Sequence, residues 1–270
     1  MTNPLMGPIK RALRAFGLQT SQTQQHPHSG SITHAYAEQV LARLDDPFRS
    51  ALLSMYDGDP QNGIDGQVHC LDNTTRIPPD QGMWIYDLCL ATKPKSTLEI
   101  GMAYGFSSLF FLAAIAKNQQ GEHTTIDPFQ KSYWHGIGLN QAIEHSPTLA
   151  DRSTFRFIED RSDRAATDLA REKQSFDIVF VDGNHRYDDI LVDFYLYAQL
   201  TNVGGHIIFD DLWMNSVKTA VEFIRTNRRD FREVISSQAN VRVFQKIGED
   251  KRKWHEFSAF KVFSPTGSTK

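Results

Sequence analysis

The chain has 270 residues, a formal net charge of −3 and only two cysteines, Cys70 and Cys89. That length suits one large α/β domain with an N-terminal extension, or two small domains. The charge balance excludes a general polyanion binder such as a nucleic-acid protein, two cysteines give no disulfide framework, and apolar runs such as 109–116 are far too short to span a bilayer. A reducing cytoplasm is the expected compartment.

Residues 1–18 read as a short basic helix that lacks the apolar core of a signal peptide. Residues 20–31 read as a polar linker, with His26 and His28 solvated. Over 33–57 the spacing of Leu41, Leu44, Phe48, Leu52 and Met55 predicts one helix with a single apolar face. Residues 58–80, rich in Gly, Asp and Pro, read as an irregular loop of the kind that covers a site.

From residue 80 the pattern becomes regular. A helix over 80–92 precedes strands at 97–100, 123–126, 155–158, 176–181 and 205–209. Helices fall near 106–117, 136–146, 162–172, 187–200 and 215–227, and a late alternation around Val241 and Val243 suits an antiparallel strand. Strand–helix alternation of this kind means a mostly parallel sheet covered on both faces. The organisation read from it is a helical extension with a lid loop over 1–79, a ligand-binding domain over 80–250 and a tail over 251–270.

The chemistry gathers where strands end. One apolar strand runs into Asp182 and another into Asp210 and Asp211, and open α/β sheets bind ligands outside the carboxyl ends of their strands. Three carboxylates beside one crevice suit a hard divalent cation such as Mg²⁺. His185 places a base at the same edge. Asp210 and Asp211 have a simpler use as caps of the following helix, and Asp188 and Asp189 fit the first turn of theirs.

A glycine loop, LEIGMAYGFSS over 98–108, follows the first strand of the regular region. Gly101 and Gly105 permit a tight turn and close ligand approach, the helix N-terminus offers N–H groups to an anion, and the Ser107 hydroxyl stands beside them. Ala103 breaks the dinucleotide fingerprint. Asp127 follows the second strand, about where an acid binds ribose hydroxyls. Together these residues describe a pocket for a nucleoside with an anionic group but no pyrophosphate. Phe129, Tyr133, Trp134 and Trp213 are candidate lining residues, with His135 reaching towards the metal region.

In this set of motifs the chain resembles the class I S-adenosylmethionine-dependent methyltransferases over about 80–246, and most closely their metal-dependent small-molecule and sugar O-methyltransferases. The resemblance implies a Rossmann-like, doubly wound, mostly parallel seven-stranded sheet with an N-terminal helical extension. It implies cofactor contacts from Glu99, Gly101, Gly105, Ser107, Asp127, Arg161, Ser162 and Asp182. It implies Mg²⁺ or Mn²⁺ on Asp182, Asp210 and Asp211, with His185 as base beside Asp182. Catechol-type relatives carry Lys at position 185 and Asn at position 211, so the expected acceptor is a hydroxylated small molecule, favoured a sugar. The alternatives are a catechol-like phenol methyltransferase, a nucleotide-dependent oxidoreductase and a non-catalytic nucleoside-binding module. Neither nucleic acid nor stable membrane insertion is expected, and a homo-oligomer is compatible with the chain.

Overall fold

A computed structural model of the chain describes residues 32–72, 75–150 and 152–263. The expected N-terminal helix, the linker with His26 and His28, and the last residues 264–270 lie outside the described residues. The described elements in chain order begin with α1 (His34–Leu41), α2 (Phe48–Asp57), β1 (Gln61–Asn62), β2 (Val68–His69) and α3 (Pro79–Thr92). They continue with β3 (Ser96–Ile100), α4 (Phe106–Asn118), β4 (Glu122–Ile126), α5 (Ile137–His145), β5 (Thr148–Leu149) and β6 (Arg152–Ser153). Then come β7 (Phe155–Ile158), α6 (Ser162–Arg171), β8 (Phe176–Val181), α7 (Tyr187–Leu200), β9 (Thr201–Phe209), α8 (Asn215–Asn227), β10 (Phe231–Val234) and β11 (Arg242–Lys246).

Seven strands form one sheet in the order β10–β11–β9–β8–β3–β4–β7. The five from β9 to β7 are parallel, and β11 and β10 add antiparallel partners at the β9 edge. This is the expected doubly wound, mostly parallel sheet. The central strand β8 is apolar on both faces because helices cover both. In β8, Ile178 and Phe180 join one core while Phe176, Val179 and Val181 join the other. The first core receives α1 to α5, and the second receives α6, α7 and α8. Buried Lys246 donates to the carbonyls of Ala198 and Thr201, both at 3.0 Å, and so closes the carboxyl end of α7.

The single helix expected over 33–57 is two helices. Pro47 lacks an N–H and its ring cannot sit inside a helix, so α1 stops at Leu41 and α2 starts after Pro47. The apolar face survives the break, because Leu41, Leu44, Phe48, Leu52 and Met55 are all buried in the core shared with α3 and α4. The helices α1, α2 and α3 are therefore built onto one face of the sheet. The docking of α3 is close: a methyl on Gly82 would lie 2.0 Å from the Phe110 ring of α4. Within the expected loop, β1 and β2 pair as a short hairpin. The stretch after β11 is also anchored up to Phe263. Asn227 exchanges two hydrogen bonds with the Ser258 backbone, and Thr219 accepts one from the Phe263 amide at 3.0 Å.

One buried acid links α7 to α6. Asp193 is 3% exposed and bonds to Ser162, and its pKa is pushed up to about 7. Burial is the main cause, offset by Ser162 and Arg161 and reinforced by Asp189 and Asp163. A folded pKa above the unfolded value means that the neutral form is the one the fold prefers. Its contribution is complete below about pH 4 and is lost as pH rises through about 7. Asp193→Asn, which cannot ionise, is expected to melt above the wild type at pH 8, with the gap narrowing as pH falls to 5. A constant gap across that range in thermal melts would show that Asp193 is not a titrating burial cost.

Candidate active site

The site is built from strand exits. Gly101 donates its N–H to Ile126 O at 2.9 Å, Asp127 to Ile158 O at 3.1 Å, Asp182 to Ile100 O at 3.0 Å and Asp210 to Val181 O at 3.2 Å. Each residue that leaves a strand is thereby tied to the last carbonyl of the neighbouring strand. Gly101, Asp127, Asp182 and Asp210 consequently stand along one edge of the sheet. At Gly101 (φ +91°) a Cβ would lie 2.2 Å from the Asp182 carbonyl oxygen, so the glycine loop and the acid group abut through backbone.

Two buried side chains shape the glycine loop. Asp127 accepts from the amides of Met102 (3.1 Å) and Ala103 (2.9 Å) on one oxygen and from Phe129 (2.7 Å) on the other. Burial raises its pKa, and these amides together with Gln130 oppose the rise. Gln130 donates to Ala103 O at 2.6 Å and accepts from the Leu139 amide at 3.1 Å, which ties the loop to α5. Between them they hold Ala103 at φ +46°, a left-handed conformation that residues with a Cβ seldom adopt. Gly105 (φ +85°) is the N-cap of α4 and has no side-chain cap, which leaves the helix N-terminus as an anion-binding feature.

Two expected ligand contacts turn inward instead. Glu99 is fully buried, and its carboxylate accepts from the hydroxyls of Ser107 and Ser108, with His123 Nε2 at 3.4 Å. Ser107 is thus spent on Glu99, and the pair fixes α4 to β3. A buried carboxylate needs hydrogen-bond donors, and the two serines supply them. Arg161 and Ser162 follow β7 at the same edge of the sheet. Arg161 is turned to Asp163 at 2.9 Å, the Ser162 carbonyl accepts from the Tyr197 hydroxyl at 2.8 Å, and the Ser162 side chain bonds to Asp193.

At the ends of β8 and β9, Asp182, His185 and Asp211 bring their ligand atoms within 4.8 Å of one another. His185 Nε2 lies 3.0 Å from Asp211 Oδ2 and 3.4 Å from Asp182 Oδ1. Neither contact is aligned as a hydrogen bond, so Nε2 is a buried nitrogen without a directed partner. Burial raises the Asp182 pKa to about 6, against the pull of His185. Burial would also raise Asp211, but His185, Trp213 and Asn240 outweigh it and hold this acid at about 2. Burial lowers His185, and the two carboxylates overcome it and lift the imidazole to about 10.

Asp210, expected as a third ligand, is placed differently. It is buried, and both oxygens are engaged: Oδ2 by Gln81 at 2.5 Å, Oδ1 by Asn240 at 2.9 Å and by the Asp211 amide at 2.7 Å. Burial first, then Asp182 and Asp211, push its pKa well up. The converging donor set is therefore two carboxylates and one imidazole. Neither Asp210 nor Asp211 caps α8, whose N-cap is Met214. Trp213 donates its indole N–H to Asp211 Oδ1 at 2.8 Å, which makes this expected lining residue part of the site. His135 does not join this group; it packs against His69 instead.

Sequence reasoning missed Gln81, Asn240 and Gln130. Gln81 reaches Asp210 from α3 and Asn240 from the turn before β11, so neither carries a local motif. Gln130 had a signal in its place three residues after Asp127, in a stretch read only for its aromatics.

Residues 98–212 match a family of proteins described as a methyltransferase domain. Flavonoid 3',5'-methyltransferase of Vitis vinifera is 28% identical over 152 residues, covering 54% of this chain and 60% of that protein. Caffeoyl-CoA O-methyltransferase of Populus kitakamiensis is 27% identical over 185 residues, covering 63% and 72%. The chain thus spans about 60% of the length of the flavonoid relative. Among solved structures, an O-methyltransferase from Bacillus cereus in complex with SAH aligns with a TM-score of 0.56 at 16% identity, over 79% of this chain and 96% of that one. TomG from Streptomyces achromogenes, solved with SAM, aligns with a TM-score of 0.55 at 17% identity, over 80% and 96%. These likenesses agree with the fold described above.

The environment of Asp210 yields a direct expectation. Gln81→Leu keeps the volume but removes a donor from a buried carboxyl, which costs about 1–3 kcal/mol. Urea unfolding is expected to show a loss in that range. A change within about 0.5 kcal/mol, the scale of an ordinary surface substitution, would mean that Gln81 does not support Asp210.

Proposed function

We propose that this chain, which resembles the class I methyltransferases in motif and fold, is an S-adenosylmethionine-dependent O-methyltransferase that acts on a small hydroxylated acceptor with help from a divalent cation. The observation that carries the reading is the abutment of Gly101 on Asp182. It sets a nucleoside-type glycine loop directly against a group of acids and an imidazole.

Both implied groups pass a test against the residues present. The loop presents an uncapped helix N-terminus near the buried carboxyl of Asp127, as an anionic nucleoside ligand requires. Asp182 and Asp211 converge beside a buried imidazole nitrogen that lacks a directed partner, as a cation site requires. When bound, S-adenosylmethionine supplies an activated methyl group, and Mg²⁺ or Mn²⁺ supplies charge that acidifies a hydroxyl.

The chain's own residues do the rest. Asp127 and Gln130 keep the loop in its binding shape; Asp127 Oδ2 is taken by the Met102 and Ala103 amides, and Oδ1, which accepts only the Phe129 amide, keeps one lone pair for a ribose hydroxyl. Asp182 and Asp211 would hold the cation, while Asp210, fixed by Gln81 and Asn240, braces Asp211 through its amide. A cation held by the two carboxylates alone would offset the charges that keep the His185 imidazole protonated, and its Nε2 would then take the acceptor proton, a contribution of roughly 10²- to 10⁴-fold. Much of the remaining acceleration is positioning, because the donor is already reactive. A cation held by these two carboxylates would favour an acceptor with two adjacent oxygens, which a vicinal sugar diol and a phenolic diol both provide.

The test is methyl transfer from S-adenosylmethionine to catechols, flavonoids with adjacent hydroxyls and glycosides with vicinal diols, in Mg²⁺ or Mn²⁺ and in EDTA. Turnover is expected on at least one vicinal-oxygen class, with a fall of about 100-fold or more in EDTA and in Asp182→Asn. Turnover undiminished by EDTA would overturn the cation's part. A chain that neither binds the donor in calorimetry nor transfers its methyl group would overturn the whole reading.

A further inference from the structure

A second group of metal-ligating side chains lies on the hairpin and on the turn before α5. Asp65, His69 and His135 each offer a ligand atom, and these atoms all lie within 4.8 Å of one another. His69 Nε2 stands 3.0 and 2.9 Å from the two oxygens of Asp65. The His135 ring stacks on that of His69, with centroids 4.1 Å apart and planes 9° from parallel.

The backbone fixes this arrangement independently of the rings. The hairpin closes through Gly63 N–H to Gln67 O at 2.8 Å, and Asp65 Oδ1 accepts from the Gln67 amide at 3.0 Å. Ile64 donates its N–H to His135 O at 3.2 Å, so the two segments are joined by main chain. His135 adopts φ +55°, a left-handed conformation that residues with a Cβ seldom adopt. At the next residue, Gly136 (φ +66°), a Cβ would lie 2.3 Å from Ile64 Cγ2. Strain of this kind persists where surrounding structure enforces it, and it marks places where a side chain is being aimed.

The donor chemistry separates this group from the one at the strand ends. Two imidazoles and one carboxylate form a softer set than two carboxylates and one imidazole. Imidazole nitrogen favours borderline transition cations, whereas Mg²⁺ prefers oxygen. Asp65 is 42% exposed and His69 is 17% exposed. The group is therefore open to solvent, and water can complete a four-coordinate shell. We propose that Asp65, His69 and His135 form a second metal site, selective for a transition cation such as Zn²⁺ or Ni²⁺, that clips the β1–β2 hairpin to the turn before α5. The clip sits close to the glycine loop: the Gly136 amide donates to Gln130 O at 2.6 Å, and the Gln130 side chain holds Ala103. The proposal does not depend on the methyl-transfer reading.

The test titrates the full chain, cleared with EDTA, with Zn²⁺ alone and Ni²⁺ alone by calorimetry. The variants are His69→Gln, His135→Asn and the double variant Asp182→Asn/Asp211→Asn, with thermal melts as a check on folding. The wild type is expected to bind both ions and to melt higher in their presence. Each histidine variant is expected to weaken one binding event by about tenfold or more, and Asp182→Asn/Asp211→Asn to leave that event intact. Cu²⁺ electron paramagnetic resonance on the wild type is expected to show two imidazole nitrogens, which a structural role for the histidines alone would not produce. No binding in the wild type, or binding indifferent to His69 and His135, would overturn the site.

Discussion

The structure depends on the backbone bonds that tie each strand's exit residue to its neighbour. Four of them, from Gly101, Asp127, Asp182 and Asp210, fix which residues face the crevice and at what height. Parallel strands permit this because their carboxyl ends all lie on one side, and ligands in open α/β sheets bind there for that reason. The missing side chain at Gly101 then lets the first loop close onto the Asp182 carbonyl. Any larger residue would separate the two halves of the site.

The strand ends crowd charge into a poorly solvated place. Asp182, Asp210 and Asp211 repel one another, and burial adds a cost to each. The protein answers with neutral donors from distant elements: Gln81 from α3, Asn240 before β11, and Trp213. Such a set is expensive to assemble and is rarely kept for stability alone, since buried charge seldom returns its desolvation cost. Local rules that conflict in this way tend to mark function. Glu99 shows the contrasting case. It is fully buried and engaged by two serines, and it serves the fold.

Much of the fold was legible in the sequence because each strand and helix of the regular region carries its own period. The run FDIVFV fills both faces of the sheet, and α7 occupies the stretch expected for it. Less legible were elements defined by partners. The β1–β2 hairpin and the β5–β6 pair are two residues per strand, too short for periodicity to register. Pro47 was a visible breaker, yet the apolar face runs through it because both helices pack on one core. In the site, residue types were readable and side-chain directions were not. Ser107 and Glu99 carry the expected motif, and only the structure shows them spent on each other. Asp210 stands beside Asp211 in the chain but is consumed by Gln81 and Asn240.

On the proposed function, one edge of the sheet would take a methyl donor and a cation side by side. Diffraction from crystals grown with S-adenosylhomocysteine and Mn²⁺, with data at the manganese absorption edge, addresses it most directly. The nucleoside is expected over Gly101–Gly105, with an anomalous peak between Asp182 and Asp211, next to His185. An empty glycine loop, or manganese bound away from these carboxylates, would contradict it.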